Sequence, residues 1–339
     1  MDYKVSVIFI TYNHEKYVEK ALRSVLAQET DFPFEVVIGE DCSTDGTAQI
    51  VSAIAKEYPE HEAKGPGDKQ VRLYLRKENT GGHPTLNVYE TTMRCGSEYL
   101  AYLEGDDFWT DPKKLQKQVD FLEQHPEYIG VTHDLQMVDA DDKPYTDPAI
   151  LAIGGLYEWK EGPFTYTDYC YSGKFPGHYA TLMSRNIYPA KKYDYTILHR
   201  ASDFTDDAVI LLFLLMQGEI YRMGDVMSAW RYIQRSGGEN WNSVVLKRDL
   251  FRENAYLSKT LMQWMEENKG LTEYAKIRCR QDFGLALRFF LKKPCKKNLQ
   301  FMRDMFDYGI VHVVRGDKKI PMFLYGINTI VKKVFGGNA

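Results

Sequence analysis

The chain has 339 residues, of which 44% are hydrophobic and 27% charged, with a formal net charge of -4. This suffices for one large domain, or one domain with an appendage. The near balance of charge argues against a nucleic-acid binder, which carries a clear positive excess. In chain order, Val5 to Ile10 is a dense β-branched and aromatic run that reads as a buried strand. A helix follows, with Tyr17, Val18, Ala21, Leu22, Val25 and Leu26 on one face and Asn13 as its expected N-cap. Phe34 to Ile38 is a second strand, and residues 46–58 a second helix carrying Ile50, Val51 and Ile54. Strand, helix, strand, helix is the pattern of a parallel sheet with covered faces.

Val71 to Leu75 is a third strand, and Gly81 and Gly82 precede a helix from Pro84 to Met93. Tyr99 to Leu103 is a fourth strand, followed by a helix opening at Pro112 behind an Asp111 cap. Gly130 to His133 reads as a short strand, Asp139 to Phe175 as loops and short strands, and His178 to Met183 as a strand. A helix over residues 206–217 and a strand from Val226 to Tyr232 follow, with Gly237 and Gly238 as a boundary. Beyond it Ser243 to Glu267, Leu271 to Phe290 and Lys297 to Tyr308 are helical. The scattered Cys42, Cys95, Cys170, Cys279 and Cys295 contain no CxxC pair. Reduced thiols in the cytoplasm therefore fit better than a disulfide framework or a zinc site. The start shows no signal-peptide pattern, and the longest apolar stretch, Ala208 to Met216, is too short to cross a bilayer.

Ligands of open α/β sheets bind beyond the C-terminal ends of the strands. Three strands end there in polar clusters: Thr11-Tyr12-Asn13, Glu40-Asp41, and Glu104-Gly105-Asp106-Asp107. Three carboxylates around one glycine repel one another, and a hard cation such as Mg2+ or Mn2+ offsets that. A polar turn closing the strand is the plainer alternative. Asp41 suits hydrogen bonding to a base, or a simple cap; Tyr12 suits stacking on a ring, or covering the core. Asn79, Gly81 and Gly82 permit close backbone approach to a nucleotide, although no P-loop or GxGxxG pattern is present.

The run VSVIFITYNHEKYVEKALRSVLAQETDFPFEVVIGEDCSTDGT resembles the opening of inverting family 2 glycosyltransferases. Glu40 to Thr47 matches the family's D-D-x-S-x-D-G-T with a glutamate first, Asn79-Thr80-Gly81-Gly82 its N-x-G, and Leu103 to Trp109 its L-D-x-D-D-x-W. The resemblance is close over residues 3–130 and looser to 235. It implies an α/β, GT-A nucleotide-sugar-binding fold with a Rossmann-like, mixed but mostly parallel sheet and a helical C-terminal extension. The implied domains are 1–238, catalytic, with a nucleotide-sugar half (1–130) and an acceptor half (131–238), and 239–339, the helical extension. Thr11, Tyr12, Asn13, Asp41, Asn79, Gly81, Glu104, Gly105, Asp106, Asp107 and Arg231 fall on the donor side by the resemblance. Asp106 is its chief metal-binding acid, for Mn2+ or Mg2+. Glu104 replaces the first aspartate of the D-x-D element.

The resemblance further implies a base near the start of a helix after the acceptor region. The segment SDFTDDAVILLFLLMQGEIYRMGDVMSAWRY matches, giving Asp207 as the base, Asp206 as its neighbour and Asp203 as a third candidate. Acids in a first helical turn are also ordinary caps. Trp109, His178 and Tyr179 fall on the acceptor side, with Trp109 and Phe108 also suited to packing beneath it; an extra metal ligand and a hydrogen-bonded turn histidine are the other readings of His178. The processive Q-x-x-R-W element is absent, which disfavours polymerisation. The expected reaction is transfer of one sugar, with inversion, from a nucleoside diphosphate donor, a UDP-sugar first, to a glycan or lipid-linked acceptor. A nucleotidyltransferase would want a glycine-rich basic loop after the first strand, and a non-catalytic nucleotide-sugar or glycan-binding module is the rival of another class. Lys292, Lys293, Lys296 and Lys297, then Lys318, Lys319, Lys332 and Lys333, give the tail a basic amphipathic character. That suits peripheral contact with an anionic membrane at its inner face. Packing on the catalytic domain or on a second subunit is the alternative.

Overall fold

The computed structural model describes residues 2–205, 207–233, 248–269 and 273–309. Asp206, the Gly237-Gly238 boundary and the tail lysines from Lys318 onward lie outside the described residues. The chain forms two compact units, one built on a sheet and one on the helices that follow residue 248.

In the first unit β1 (Val5–Thr11), β2 (Phe34–Glu40) and β3 (Lys69–Leu75) pair in parallel, with β4 (Tyr99–Glu104) on the other side of β1. The apolar runs of β1, β2 and β4 are buried on both faces, as parallel strands between helices require. The crossovers are α1 (Val18–Leu26), α2 (Thr47–Glu57) and α3 (Pro84–Thr92). Val18, Ala21, Leu22 and Val25 of α1 pack with Val5, Val7 and Phe9 in one core. Burying each such aliphatic side chain contributes roughly 1.5–3 kcal/mol.

The sheet continues through β5 (Phe108–Trp109), α4 (Lys114–Gln124) and β6 (Tyr128–Val138). Next come α5 (Pro148–Leu151), a 3-10 turn (Gly154–Tyr157), β7 (Gly162–Phe164) and α6 (Tyr166–Ser172). A 3-10 turn (Tyr179–Thr181), β8 (Met183–Arg185), α7 (Ile197–Arg200), α8 (Asp207–Leu215) and β9 (Glu219–Arg231) complete it. The order is β3-β2-β1-β4-β8-β6-β9-β5, with β7 also on β9. β8 is antiparallel to both β4 and β6, and β6 is parallel to β9. The sheet is therefore mixed and largely parallel.

Several local expectations change. Asn13 does not cap α1, which starts at Val18 without a side-chain cap. Its backbone takes φ 54°, and its Oδ1 accepts from Thr44 N at 2.8 Å. The helix expected at Pro112 opens at Lys114, with Asp111 Oδ1 accepting from Lys113 N in the preceding turn. The segment after Asp139 contains short helices; α6 is nucleated by a Thr165–Asp168 capping box. Residues 178–182 form a tight turn rather than a strand.

The second unit contains α9 (Leu250–Lys269), α10 (Glu273–Lys292) and α11 (Lys296–Gly309). Ala255, Phe283, Ala286, Leu287, Phe301 and Met305 form its core. Among the described residues, no helix is long and apolar enough to cross a membrane. None of the five cysteines is in a disulfide.

Candidate active site

Parallel register places Thr11 opposite Glu40, and Ile10 opposite Glu104, at one edge of the sheet. Two loops are stitched together there. Asn13 N donates to Ser43 Oγ (2.9 Å), His14 N to Thr47 Oγ1 (2.8 Å) and Glu15 N to Asp45 Oδ2 (3.1 Å). Glu40 accepts from Cys42 N and Ser43 N, so it holds the loop of the second cluster. Tyr12 stays 37% exposed at this edge, which leaves its ring accessible.

Asp41 is buried. Its carboxylate accepts from Thr80 Oγ1 (2.7 Å), Asn79 Nδ2 (3.0 Å) and Thr80 N (3.1 Å), with Arg76 Nε at 3.5 Å. Burial raises its pKa, opposed by the Thr80 bonds and Arg76. The Asn79–Gly82 loop thus folds over Asp41, and Gly81 and Gly82 take φ of 67° and 92°, which favours glycine.

Gly105 has a packing reason of its own. A Cβ there would lie 2.5 Å from Thr11 Oγ1 and 2.8 Å from His14 Nδ1. The next residue, Asp106, directs Oδ2 towards His14 Nε2 at 3.8 Å, with its side chain 22% exposed. Asp107 turns inward and is 1% exposed. Its Oδ1 accepts from Arg231 N at 2.8 Å, while its buried Oδ2 has no hydrogen-bond partner. Burial, then repulsion from Asp106, pushes the Asp107 carboxyl well above the usual range.

The buried Oδ2 lies 3.8 Å from His178 Nδ1. Ligand atoms of Glu104, Asp107 and His178 all lie within 4.8 Å of one another. Burial lowers the His178 pKa to about 3, so the imidazole is neutral; its Nδ1 accepts from Ala180 N at 3.3 Å, a bond that ligation through this nitrogen would replace. An orphaned buried carboxylate oxygen, a second carboxylate and a neutral imidazole fit a divalent cation with oxygen and nitrogen preferences. Asp106 is outside this convergent trio; His178, placed with the acceptor by sequence, is inside it.

The floor of the trio is a polar clamp. Trp109 Nε1 (3.2 Å) and Ser228 Oγ (3.1 Å) donate to Ala180 O, and Gln118 Nε2 donates to Thr181 O (2.9 Å). Lys114, fully buried, donates to Gln118 Oε1 at 2.8 Å and lies over the Trp109 ring; burial holds its pKa well down. Trp109 is 4% exposed and Tyr179 1%, the latter against Tyr102. Both are core side chains, so their geometry supports the His178 turn rather than acceptor contact. Arg231, expected beside donor phosphates, is 2% exposed. Its guanidinium donates to Asp106 O (2.8 Å), Asp139 O (3.1 Å) and the Asp142 carboxylate, and it lies over Tyr17. It braces the acidic loop from behind.

Asp207 opens α8, with Oδ1 accepting from Ala208 N at 2.6 Å. Its Oδ2 accepts from Tyr157 Oη at 2.7 Å. Burial raises its pKa, opposed first by the Tyr157 bond. The Tyr157 ring meets the His178 ring edge-on at 5.0 Å, and His178 stacks on Trp230 at 5.0 Å. Arg222 Nη1 holds the Tyr157 and Pro176 carbonyls at 2.7 and 2.9 Å. One tyrosine therefore joins Asp207 to the acidic cluster. Sequence reasoning missed Tyr157, which stands in an aromatic-rich stretch without periodicity. It also missed His14, although a histidine one residue past Asn13 was visible. Asp203 lies exposed in the preceding loop.

The profile described as glycosyl transferase family 2 matches residues 6–192. An uncharacterised protein of Mycobacterium tuberculosis is 40% identical over 137 residues, 40% of this chain and 36% of that protein. An uncharacterised glycosyltransferase of Nostoc is 33% identical over 140 residues, 41% of this chain and 39% of that protein. The chain thus spans well under half of these relatives. The crystal structure of Staphylococcus aureus TarS 1-349 with UDP-GlcNAc superposes with a TM-score of 0.62 at 18% identity, covering 97% of this chain and 88% of that one. That likeness establishes the GT-A type of fold. The profile match covers more than half of the sequence and takes in the strands from β1 to β8 with their acidic edge: the chain belongs to glycosyl transferase family 2.

Proposed function

We propose that the chain is a metal-assisted, inverting glycosyltransferase. It moves one sugar from a nucleoside diphosphate donor, a UDP-sugar by preference, to a hydroxyl of a glycan or lipid-linked glycan in surface polysaccharide synthesis at the cytoplasmic face of the membrane. The observation that carries this is the placement of the Glu104–Asp107–His178 trio at the C-terminal sheet edge, one tyrosine from Asp207. The UDP-GlcNAc bound by the structurally similar TarS supports the donor class.

Residues 1–130 hold the donor and 131–238 the acceptor in this reading, with 239–339 as the helical extension. The exposed Tyr12 ring covers the base. Thr11, Asn13, Asn79, Gly81 and Gly105 shape the nucleotide cleft, and Asp41 accepts from the base. Glu104, Asp107 and His178 would hold Mn2+ or Mg2+, and the more accessible Asp106, on the side of the donor diphosphate, would be a further ligand. A cation bound there supplies positive charge to the leaving diphosphate. Asp207, its pKa raised, takes the proton of the acceptor hydroxyl. The hydroxyl oxygen bonds to the anomeric carbon as the carbon–oxygen bond to the diphosphate breaks on the opposite face, releasing the nucleoside diphosphate. Tyr157 orients the Asp207 carboxylate and is a positioning residue.

The test is product stereochemistry together with Asp207→Asn. Proton NMR of the transferred sugar should show the anomeric configuration opposite to the donor's. The variant should bind donor normally and transfer about 100-fold more slowly or worse. Retained configuration, or normal transfer by Asp207→Asn, would overturn the assignment.

A further inference from the structure

The lysine-rich segment between α10 and α11 has no part in the chemistry above. An open cavity of about 380 Å3 lies there, wholly within the helical unit. Arg252, Lys292, Lys293 and Lys297 line it, against a single carboxylate, Asp249. That carboxylate is shared: its Oδ2 is 3.3 Å from Arg252 Nε and 3.6 Å from Lys297 Nζ. Lys292 and Lys293 have no ion pair among the described residues.

The cavity has a rigid frame. Asn298 is buried, and its Nδ2 donates to Phe289 O (3.0 Å) and Lys293 O (2.7 Å), which fixes the turn between the helices. Arg252 donates to Asn298 Oδ1 from the other side. Its side chain is only 12% exposed and lies against Phe289 and Phe301, while Nη1 has no hydrogen-bond partner. A buried, incompletely bonded guanidinium costs stability unless an anion completes it. The lysines point the same way. Lys292 at the end of α10 suits the helix dipole, but Lys296 and Lys297 open α11, whose first turn holds no acid, and oppose it. An anion in the cavity would relieve that opposition and meet the unpaired lysines.

We propose that this cavity binds a phosphate-bearing anion, either a phospholipid headgroup or a free phosphate. Lysines at the end of one helix and the start of the next, beside a guanidinium, recognise the phosphate group, whatever it is attached to. The site stands independently of the glycosyltransferase reading, because its readout is binding.

The experiment uses the full chain, without divalent metal, in two arms. One is sedimentation with phosphatidylcholine vesicles with or without about 30% phosphatidylglycerol. The other is 31P line broadening of inorganic phosphate. The combined Lys292→Gln, Lys293→Gln, Lys297→Gln variant is compared with a charge-matched control, Lys56→Gln, Lys64→Gln, Lys191→Gln, placed in the sheet unit. We expect the cavity variant to lose binding about tenfold or more, while the control keeps it. Loss confined to the vesicle arm assigns a lipid headgroup, and loss confined to the phosphate arm a free phosphate. Equal loss in both variants, persistence of binding in the cavity variant, or no binding by the wild type in either arm would overturn the proposal.

Discussion

Asp107 and Asp207 are carboxylates raised by burial, yet their partners separate their roles. Asp107 receives one backbone N–H and keeps an orphaned oxygen. Asp207 receives a tyrosine hydroxyl and its neighbour's N–H, which orient it. Asp107→Asn should therefore stabilise the metal-free protein by about 1 kcal/mol, since a buried charge is removed. It should also weaken Mn2+ binding strongly; urea unfolding and Mn2+ paramagnetic resonance read the two effects. Equal metal affinity in wild type and variant would remove Asp107 from the cation site. For Asp207 the sign of the pH effect follows from the base needing its deprotonated form. A raised pKa puts the acid limb of kcat above the ordinary aspartate value of 3.8. The Tyr157 bond favours the carboxylate, so Tyr157→Phe should move that limb further up and lower kcat several-fold with donor KM little changed. Beside Asp207→Asn it should add almost nothing, because residues acting as one unit are non-additive. A full additional loss in the double variant would make Tyr157 merely structural.

At the scale of elements, the acidic loop is held from two directions. Thr11 and His14 crowd Gly105 from the front, and Arg231 braces Asp106 and Asp107 from behind. Arg231→Met should cost about 2–4 kcal/mol in urea unfolding, because it strips the bonds from the Asp106 and Asp139 carbonyls, removes a buried guanidinium and leaves Asp142 with Lys20 as its one ion-pair partner among the described residues. A change under about 0.5 kcal/mol, the level of ordinary surface substitutions, would show that the brace is dispensable. The contrast between Arg231 and the strands marks what the sequence can say. The strands β1, β2 and β4 were legible because both faces are buried and their apolar runs are continuous. So were the acids at their ends, since strand termini in a parallel sheet share one edge. What Arg231 reaches was not legible: its partners lie about ninety and more positions earlier in the chain. Asn13 resembled a cap, yet its left-handed backbone turns it to the β2–α2 loop. The His178 turn and Tyr157 come from stretches where aromatics pack in irregular turns, and no period of 2 or 3.6 betrays such packing.

Across the molecule, the sheet unit carries the reaction in this account and the helical unit an anion site. Divalent metal should raise the melting temperature of the wild type by mass action, by roughly 2.7 kcal/mol of stability at a hundredfold excess over Kd. Asp107→Asn should lose most of that gain. The measurement that bears most directly on the central claim is nucleoside diphosphate release. The chain is incubated with a panel of nucleotide sugars and a bacterial glycan extract, with and without Mn2+. Metal-dependent release is expected from at least one donor, strongest for a UDP-sugar, with its loss in Asp106→Ala, Asp107→Asn and Asp207→Asn. Release that needs no metal, or that all three variants sustain at the wild-type rate, would contradict it.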